Sequence, residues 1–306
     1  MNFDKVIKIL RLGRLVFPFI GVLLFSFGAL LALVSGAEFH LYRFLLGLSV
    51  AFLGQLSVSY SNDFFDFEVD GYNERTQFSG GSAVLLGSPE LRTLAKWIAL
   101  FIMGLSISLA LLFYVVFSAP VVFLLFVLLG NLLGWFYSAP PIRFAYRGYS
   151  EVIVLVTIGI ILPGFGYLIF KETLDFMFLV FLIPLMCYVL DFIISVEIPD
   201  KEGDRLGNKE TMIVIKGRRF GFVLIAFSCL VSTLYLGGLT LLNLISFPLV
   251  WITLFSLIPL ICGVWGFIHR IEEKKEATKI ISYNLVSLIL FLLIVDGYLL
   301  FISTYL

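Results

Sequence analysis

The chain has 306 residues, of which 60% are hydrophobic and only 14% charged, with 21 basic residues balanced by 21 acidic ones. Soluble domains sit near half apolar, so this composition excludes a water-soluble globular class and indicates a polytopic membrane protein. The zero formal charge selects no partner of opposite sign, and no nucleic acid is expected to bind.

Runs long enough to cross roughly 30 Å of hydrocarbon fall at Leu15 to Ser35, Leu41 to Tyr60, Leu94 to Phe117, Val121 to Tyr137 and Val152 to Phe170. Four more follow at Leu174 to Val196, Phe220 to Leu241, Phe247 to Ile268 and Ile280 to Ile302. The expected fold is all-α: nine transmembrane helices around a central cavity, in a single domain over residues 1–306. Pro18, Pro163, Pro184 and Pro259 lie inside spans and are expected to kink them, which packed neighbours tolerate. Lys5, Lys8, Arg11 and Arg14 precede an apolar run with no small-residue cleavage site, so this end reads as a retained first helix. An N-terminus in the cytoplasm leaves only Arg43 and Lys171, of 21 basic residues, on the far side of the cell membrane. Cys187, Cys229 and Cys262 sit in apolar runs without metal-ligand spacing and read as buried, inert thiols.

The second span leads into Asn62-Asp63-Phe64-Phe65-Asp66-Phe67-Glu68-Val69-Asp70. If the helix continues, Asp63, Asp66 and Asp70 fall at i, i+3 and i+7, and Asn62, Asp66 and Asp70 at i, i+4 and i+8, all on one face. Carboxylates stacked this closely repel one another unless a cation sits among them. Mg²⁺, a hard ion that keeps waters while bridging carboxylates to phosphates, suits such a site. A solvated helix end is the plainer alternative, but a merely solvated turn would gain by interleaving Lys or Arg. The sixth span ends similarly in Glu197-Ile198-Pro199-Asp200-Lys201-Glu202-Gly203-Asp204, with Asp200 and Asp204 one turn apart. Two acidic ends on even-numbered spans, each followed by a polar loop with Gly and basic residues, hint at a duplicated four-helix unit with one extra helix.

The intervening loops carry further candidates. The segment Tyr72 to Ser82 is either a flexible linker or a phosphate-facing loop that offers Arg75 and the backbone N–H groups of Ser79-Gly80-Gly81-Ser82. The loop Trp135 to Gly148 is either an aromatic and proline exit turn or a source of Arg143, and with it Arg147, for diphosphate oxygens. Lys201, Arg205 or Lys209 would neutralise phosphate charge near the second cluster. Asp191 and Asp296 lie within spans, where ionisable groups are functional candidates. Asp191 is expected to line the same cavity as Asp200, and Asp296 to be a hydrogen-bonded structural group. His40 and His269 have no partner that would suggest a ligand.

At these residues the chain resembles the UbiA family of intramembrane prenyltransferases. The family's N-D-x-x-D-x-x-x-D motif after the second helix is matched by Asn62, Asp63, Asp66 and Asp70, and its D-x-x-x-D motif after the sixth by Asp200 and Asp204. Tyr137-Ser138-Ala139-Pro140 is similar to its Y-S-x-P loop, and the nine-helix count agrees over nearly the whole chain. Phe78 to Ser82 and Glu197 to Asp200 are most similar to the branch that prenylates dihydroxynaphthoate in quinone synthesis, although archaeal lipid-forming members share similar loops. The resemblance implies two Mg²⁺ ions, one held by Asn62, Asp66 and Asp70 and the other by Asp200 and Asp204, with these four aspartates as the catalytic set. It further implies a polyprenyl diphosphate bound at the cytoplasmic face, with Arg14 or Arg11, Asn62, Asp63, Arg75, Tyr137, Arg143, Lys201 and Lys209 as substrate contacts. Departure of diphosphate would give an allylic cation, captured by an aromatic ring, or by a lipid hydroxyl in other branches, in a water-poor cavity. The prenyl tail would run among the helices toward membrane lipids. Two other classes predict otherwise. A transporter or channel would place its acids near the midplane on broken helices, and an idle lipid-binding scaffold would have no use for them.

Overall fold

With hydrocarbon outside, each span must satisfy its own backbone groups, and the chain does so as helix. A computed structural model describes residues 3–76 and 78–305. Gln77 in the loop after the first acidic cluster, and the extreme ends of the expected 1–306 domain, lie outside the described residues.

In chain order the helices are α1 (Phe3–Leu12), α2 (Val16–Val34), α3 (Leu41–Phe65), α4 (Phe67–Asp70), α5 (Val84–Gly87), α6 (Arg92–Phe117), α7 (Val121–Ser138) and α8 (Ser150–Val154). There follow α9 (Leu162–Leu168), α10 (Phe176–Leu206), α11 (Met212–Lys216), α12 (Arg218–Leu242), α13 (Val250–Phe255), α14 (Leu257–His269) and α15 (Lys274–Tyr305). Among the described residues there is no strand, and nine helical segments are long and apolar enough to cross a membrane. The protein is an all-α polytopic membrane protein.

The differences from the sequence reading lie where polar chemistry meets the helix ends. The second span does not stop at Tyr60; helix α3 carries Asn62 and Asp63 and ends at Phe65. The helix does not run unbroken through the acids. Asp66 forms a bend, yet the bonds from Asp66 N–H to Asn62 O (2.8 Å) and from Asp70 N–H to Asp66 O (2.8 Å) keep α-helical spacing across it into α4. The sixth span, α10, continues through Pro199 to Leu206, so Asp200 and Asp204 lie on the helix proper. Pro163 opens α9 after a π-helical stretch at Leu155–Ile161, and Pro259 follows the break at Ser256 that divides the eighth span into α13 and α14. A π stretch within a helix locally rotates the side chains that follow it and is common at functional sites.

Packing repeats between the halves. Each acid-bearing helix makes its most extensive contact with the span that follows it, α3 with α6 and α10 with α12, while α2 packs on α9, the first span of one half on the first of the other. The α2–α9 crossing is closed by glycine: a Cβ added at Gly28 would lie 1.8 Å from the Pro163 carbonyl oxygen, and one at Gly166 2.0 Å from that of Phe25. Small residues give transmembrane helices this close backbone approach. At the opposite end from the acids, Asp175 caps α10 through Met177 N–H and accepts from Tyr167 Oη (2.6 Å) and Lys171 Nζ (2.8 Å). Burial alone would raise the Asp175 pKa, but the bonds from Lys171 and Tyr167 outweigh it and hold the carboxyl below its usual range.

Asp191 does not line the cavity. It is fully buried and accepts from Ser195 Oγ (3.0 Å), Asn284 Nδ2 (2.6 Å) and Cys229 Sγ (3.1 Å), tying α10 to α12 and α15. Asp296, expected to be hydrogen-bonded, has neither carboxyl oxygen paired among the described residues.

The glycine crossing generates a test. Gly28→Ala or Gly166→Ala forces two backbones apart and is expected to cost about 1–3 kcal/mol, read as a lower unfolding temperature in detergent. Gly104→Ala, where an added Cβ meets nothing within 4 Å, is expected to leave that temperature unchanged.

Candidate active site

Both acidic clusters open into one cavity of about 220 Å³. Asn62 and Asp63 contribute from α3, Asp66 from the bend after it, Asp70 from α4, and Asp200 and Asp204 from α10. Arg14, Tyr137 and Lys209 complete the polar wall. Toward the interior the lining turns apolar, with Ile153, Val154, Ile158, Phe192 and Val196. Ile158 and Phe192 also line an adjoining, almost wholly apolar cavity of about 80 Å³ between α2, α10 and α15.

Asp66 is the best-connected acid. Its Oδ1 accepts from Tyr146 Oη (2.7 Å), and its Oδ2 from Ser138 Oγ (2.9 Å) and Lys209 Nζ (3.0 Å). The same ammonium lies 3.9 Å from Asp204 Oδ1 and therefore bridges the two clusters. Burial opposes the charge on Lys209, but Asp66 and Asp204 overcome it and push its pKa well above the ordinary lysine value. Asp70 shows the opposite balance. Burial, then repulsion from Asp66, raises its carboxyl to about 8, despite relief from Lys209. Burial and the neighbouring Asp66 charge also raise the Tyr146 phenol, so it stays a donor.

The loop of residues 79–82 straps the clusters together. Gly80 N–H donates to Asp200 Oδ2 (3.1 Å) and Ser82 N–H to Asp63 Oδ1 (3.4 Å). Two of the backbone donors expected to face a phosphate are thus engaged by the protein's own acids, and Ser79 N–H donates to Thr76 Oγ1 (2.9 Å) within the loop. Gly81 has φ +64°, and a Cβ there would lie 2.1 Å from Asp70 Oδ2, so the strap can approach only as glycine.

Not every expected contact reaches this cavity. Lys201 turns away, because one residue past Asp200 a helix rotates about 100°; its Nζ pairs with Glu272 at 3.7 Å. Arg75 is exposed and lines a separate cleft with Arg11 and Arg14. Arg143 stacks on Tyr146, its guanidinium carbon 3.7 Å from the ring centroid, and supports the donor to Asp66 without lining the cavity. Arg14 lines both the cavity and the cleft and stacks on Phe17 at 4.4 Å. Tyr146, Ser138 and Glu197 went unassigned in the sequence. Ser138 and Tyr146 flank the two prolines of a loop whose sequence points to Tyr137 and the arginines as contacts.

Among the described residues no three His, Cys, Asp or Glu side chains form a ready-made metal cluster, because the acids are shared between two walls with Lys209 between them. The donor set nevertheless fits a hard cation. Asn62 Oδ1, Asp63 Oδ2 and Asp200 Oδ1 are buried oxygens without a hydrogen-bond partner among the described residues, the ligand type Mg²⁺ takes.

Residues 22–294 match the family model described as the UbiA prenyltransferase family. The chain belongs to the UbiA prenyltransferase family. It is 24% identical over 216 residues to the 1,4-dihydroxy-2-naphthoate octaprenyltransferase of Bacillus subtilis (strain 168), covering 71% of this chain and 68% of that protein. A UbiA homologue from Archaeoglobus fulgidus bound to DMAPP and Mg²⁺ aligns with a TM-score of 0.72 at 17% identity, over 98% of this chain and 100% of that one. A digeranylgeranylglyceryl phosphate synthase aligns with a TM-score of 0.64 at 16% identity, over 96% and 98%. This UbiA-family protein is a prenyltransferase, and the solved structures share its fold.

The Lys209 bridge is open to test. Lys209→Met leaves Asp66 and Asp204 without their common cation and is expected to cost on the order of 3 kcal/mol, seen as a lowered unfolding temperature that added Mg²⁺ partly restores. Lys201→Met, at a half-exposed pair outside the cavity, is expected to change neither stability nor turnover.

Proposed function

We propose that this prenyltransferase transfers a polyprenyl group from polyprenyl diphosphate to an aromatic acceptor of the dihydroxynaphthoate type, as a step in quinone synthesis. The observation that carries this reading is one cavity with two acidic walls that adjoins an apolar chamber, with Ile158 and Phe192 lining both. A molecule with a multiply charged head and a long hydrocarbon tail matches that gradient. The naphthoate acceptor follows the likeness to the Bacillus relative.

In this reading Asn62, Asp66 and Asp70 hold one Mg²⁺, and Asp200 and Asp204 a second. When bound, the ions supply Lewis-acid stabilisation of the departing diphosphate. The remaining work falls to the chain. Lys209 and Arg14, both in the cavity lining, would offer positive charge to the phosphate oxygens. Ser138 and Tyr146 hold Asp66 in orientation throughout. Tyr137 and Phe192 line the cavity where positive charge grows on the allylic carbon, and ring faces stabilise such charge. Ile153, Val154 and Ile158 keep water from that carbon, which would otherwise be hydrolysed. The basic residues orient the acidic end toward the cytoplasm, within the cell membrane. The crowding of acids at one end of the bundle disfavours a transport pathway, which needs charge at the midplane.

Reconstituted protein given Mg²⁺, geranyl diphosphate and a panel of acceptors is expected to release diphosphate and prenylate 1,4-dihydroxy-2-naphthoate. Transfer only to a glycerol-phosphate lipid would move the assignment to a lipid-forming branch, and no product with any acceptor would overturn it. Asp66→Ala and Asp200→Ala are each expected to lower turnover by at least about a hundredfold while the protein remains folded by size-exclusion chromatography.

A further inference from the structure

Two carboxyls in the cavity belong to neither metal set: Asp63, which the strap engages through Ser82 N–H, and Glu197. Glu197 is three residues before Asp200 on α10 and shares its face, so it sits about 4.5 Å further along the helix from the acidic mouth. It is 4% exposed and lines the cavity, and its Oε2 has no hydrogen-bond partner among the described residues. Its Oε1 lies 2.9 Å from Ser150 Oγ, which in turn lies 2.9 Å from Glu151 Oε2. Glu151 Oε1 accepts from Met212 N–H, and Ser150 and Glu151 are both buried. Two buried carboxyls therefore meet at one hydroxyl. A hydroxyl has a single proton to donate, so the second contact is favourable only when that carboxyl carries a proton and gives it to Oγ. Glu151 already receives the Met212 amide, which leaves Glu197 as the proton-bearing end.

The surroundings suit a flat, hydroxylated ring. Tyr137 and Thr157 supply the lining there with an aromatic face and a hydroxyl. We propose that Glu197 is the acceptor-binding catalytic residue: its free Oε2 takes the hydrogen bond, and then the proton, of a phenolic hydroxyl on the acceptor, with Ser150 and Glu151 as the relay behind it. This inference rests on the prenyl-transfer reading and divides the cavity into a diphosphate half, held by the aspartates, and an acceptor half held by Glu197.

The step balances. As the acceptor O–H proton passes to Glu197 Oε2, the proton on Oε1 moves to Ser150 Oγ, and that of Ser150 to Glu151 Oε2. The electron pair left on the phenolic oxygen feeds the ring, whose carbon bonds to the allylic carbon. The allylic C–O bond breaks, and its pair leaves on diphosphate. The ring carbon then loses its own proton to the diphosphate, the relay returns a proton to the oxygen, and aromaticity is restored.

The test separates the two halves of the cavity. Wild type, Glu197→Gln, Ser150→Ala and Asp66→Ala are compared for turnover of geranyl diphosphate with 1,4-dihydroxy-2-naphthoate. The same proteins are compared for Mg²⁺-dependent binding of the unreactive geranyl thiodiphosphate. Glu197→Gln keeps the shape and a hydrogen-bond acceptor but cannot relay a proton. It is expected to lower kcat by about a hundredfold, leave acceptor KM within about threefold, and bind the analogue as wild type does. Ser150→Ala, which cuts the relay without touching the cavity, is expected to lower kcat by about tenfold with both affinities unchanged; a purely structural role would instead lower folded yield and analogue binding together. Asp66→Ala is expected to lose analogue binding. A Glu197→Gln protein within about threefold of wild-type kcat overturns the assignment. So does one that loses analogue binding, since that would place Glu197 in the diphosphate half. A wild type that binds the analogue but prenylates no acceptor overturns the functional reading and this inference with it.

Discussion

One ammonium group set between two sets of carboxylates is the interaction on which the site depends. In a cavity shielded from water, like charges at hydrogen-bond range are costly, and the bilayer on the flanks leaves them little dielectric relief. Lys209 answers that cost by reaching Asp66 and Asp204 together. The other donors around Asp66 come from places the chain brings there for this reason: Ser138 ends α7, and Tyr146 closes the double-proline loop with Arg143 stacked on its ring. The loop is thus a bracket for one carboxylate rather than a simple exit turn.

The helical spans and the acidic faces were legible because they depend on local periodicity. Twenty apolar residues make a span whatever their neighbours are, and aspartates at i, i+3 and i+4 share a face even across the bend at Asp66. What local pattern could not supply was the choice among equivalent side chains. Lys201 and Lys209 read alike in the sequence, yet helical rotation sends the first to Glu272 and chain reversal after Gly207 brings the second to Asp66. Arg143 and Arg75 read as phosphate ligands, and tertiary packing gave one a tyrosine and the other a separate cleft. Asp191 looked like a cavity residue by spacing alone, but partners on α12 and α15, remote in sequence, turned it into a knot between helices. Glu197 was quoted within its motif without a role, since its partner Ser150 is 47 positions away.

The fifth span shows how fold and chemistry connect. Ser150–Val154 is α-helical and carries the relay residues at its start; the π stretch after it presents Thr157 and Ile158 to the cavity; Pro163 and the glycines then let α9 lie against α2. One segment therefore furnishes the polar wall, the boundary with the apolar cavity and the structural axis in turn. Rigid backing of this kind holds reacting groups in place better than loops do.

The two halves complete each other's charges: the strap from the first half donates to Asp200, and Lys209 from the second neutralises Asp66. During biogenesis the first acidic cluster emerges from the ribosome long before its counterion exists. Neutralisation of that cluster therefore cannot precede synthesis of residue 209. The bundle itself still lacks α15, which packs on both α2 and α10, so charge pairing across the halves becomes possible before the apolar packing is complete.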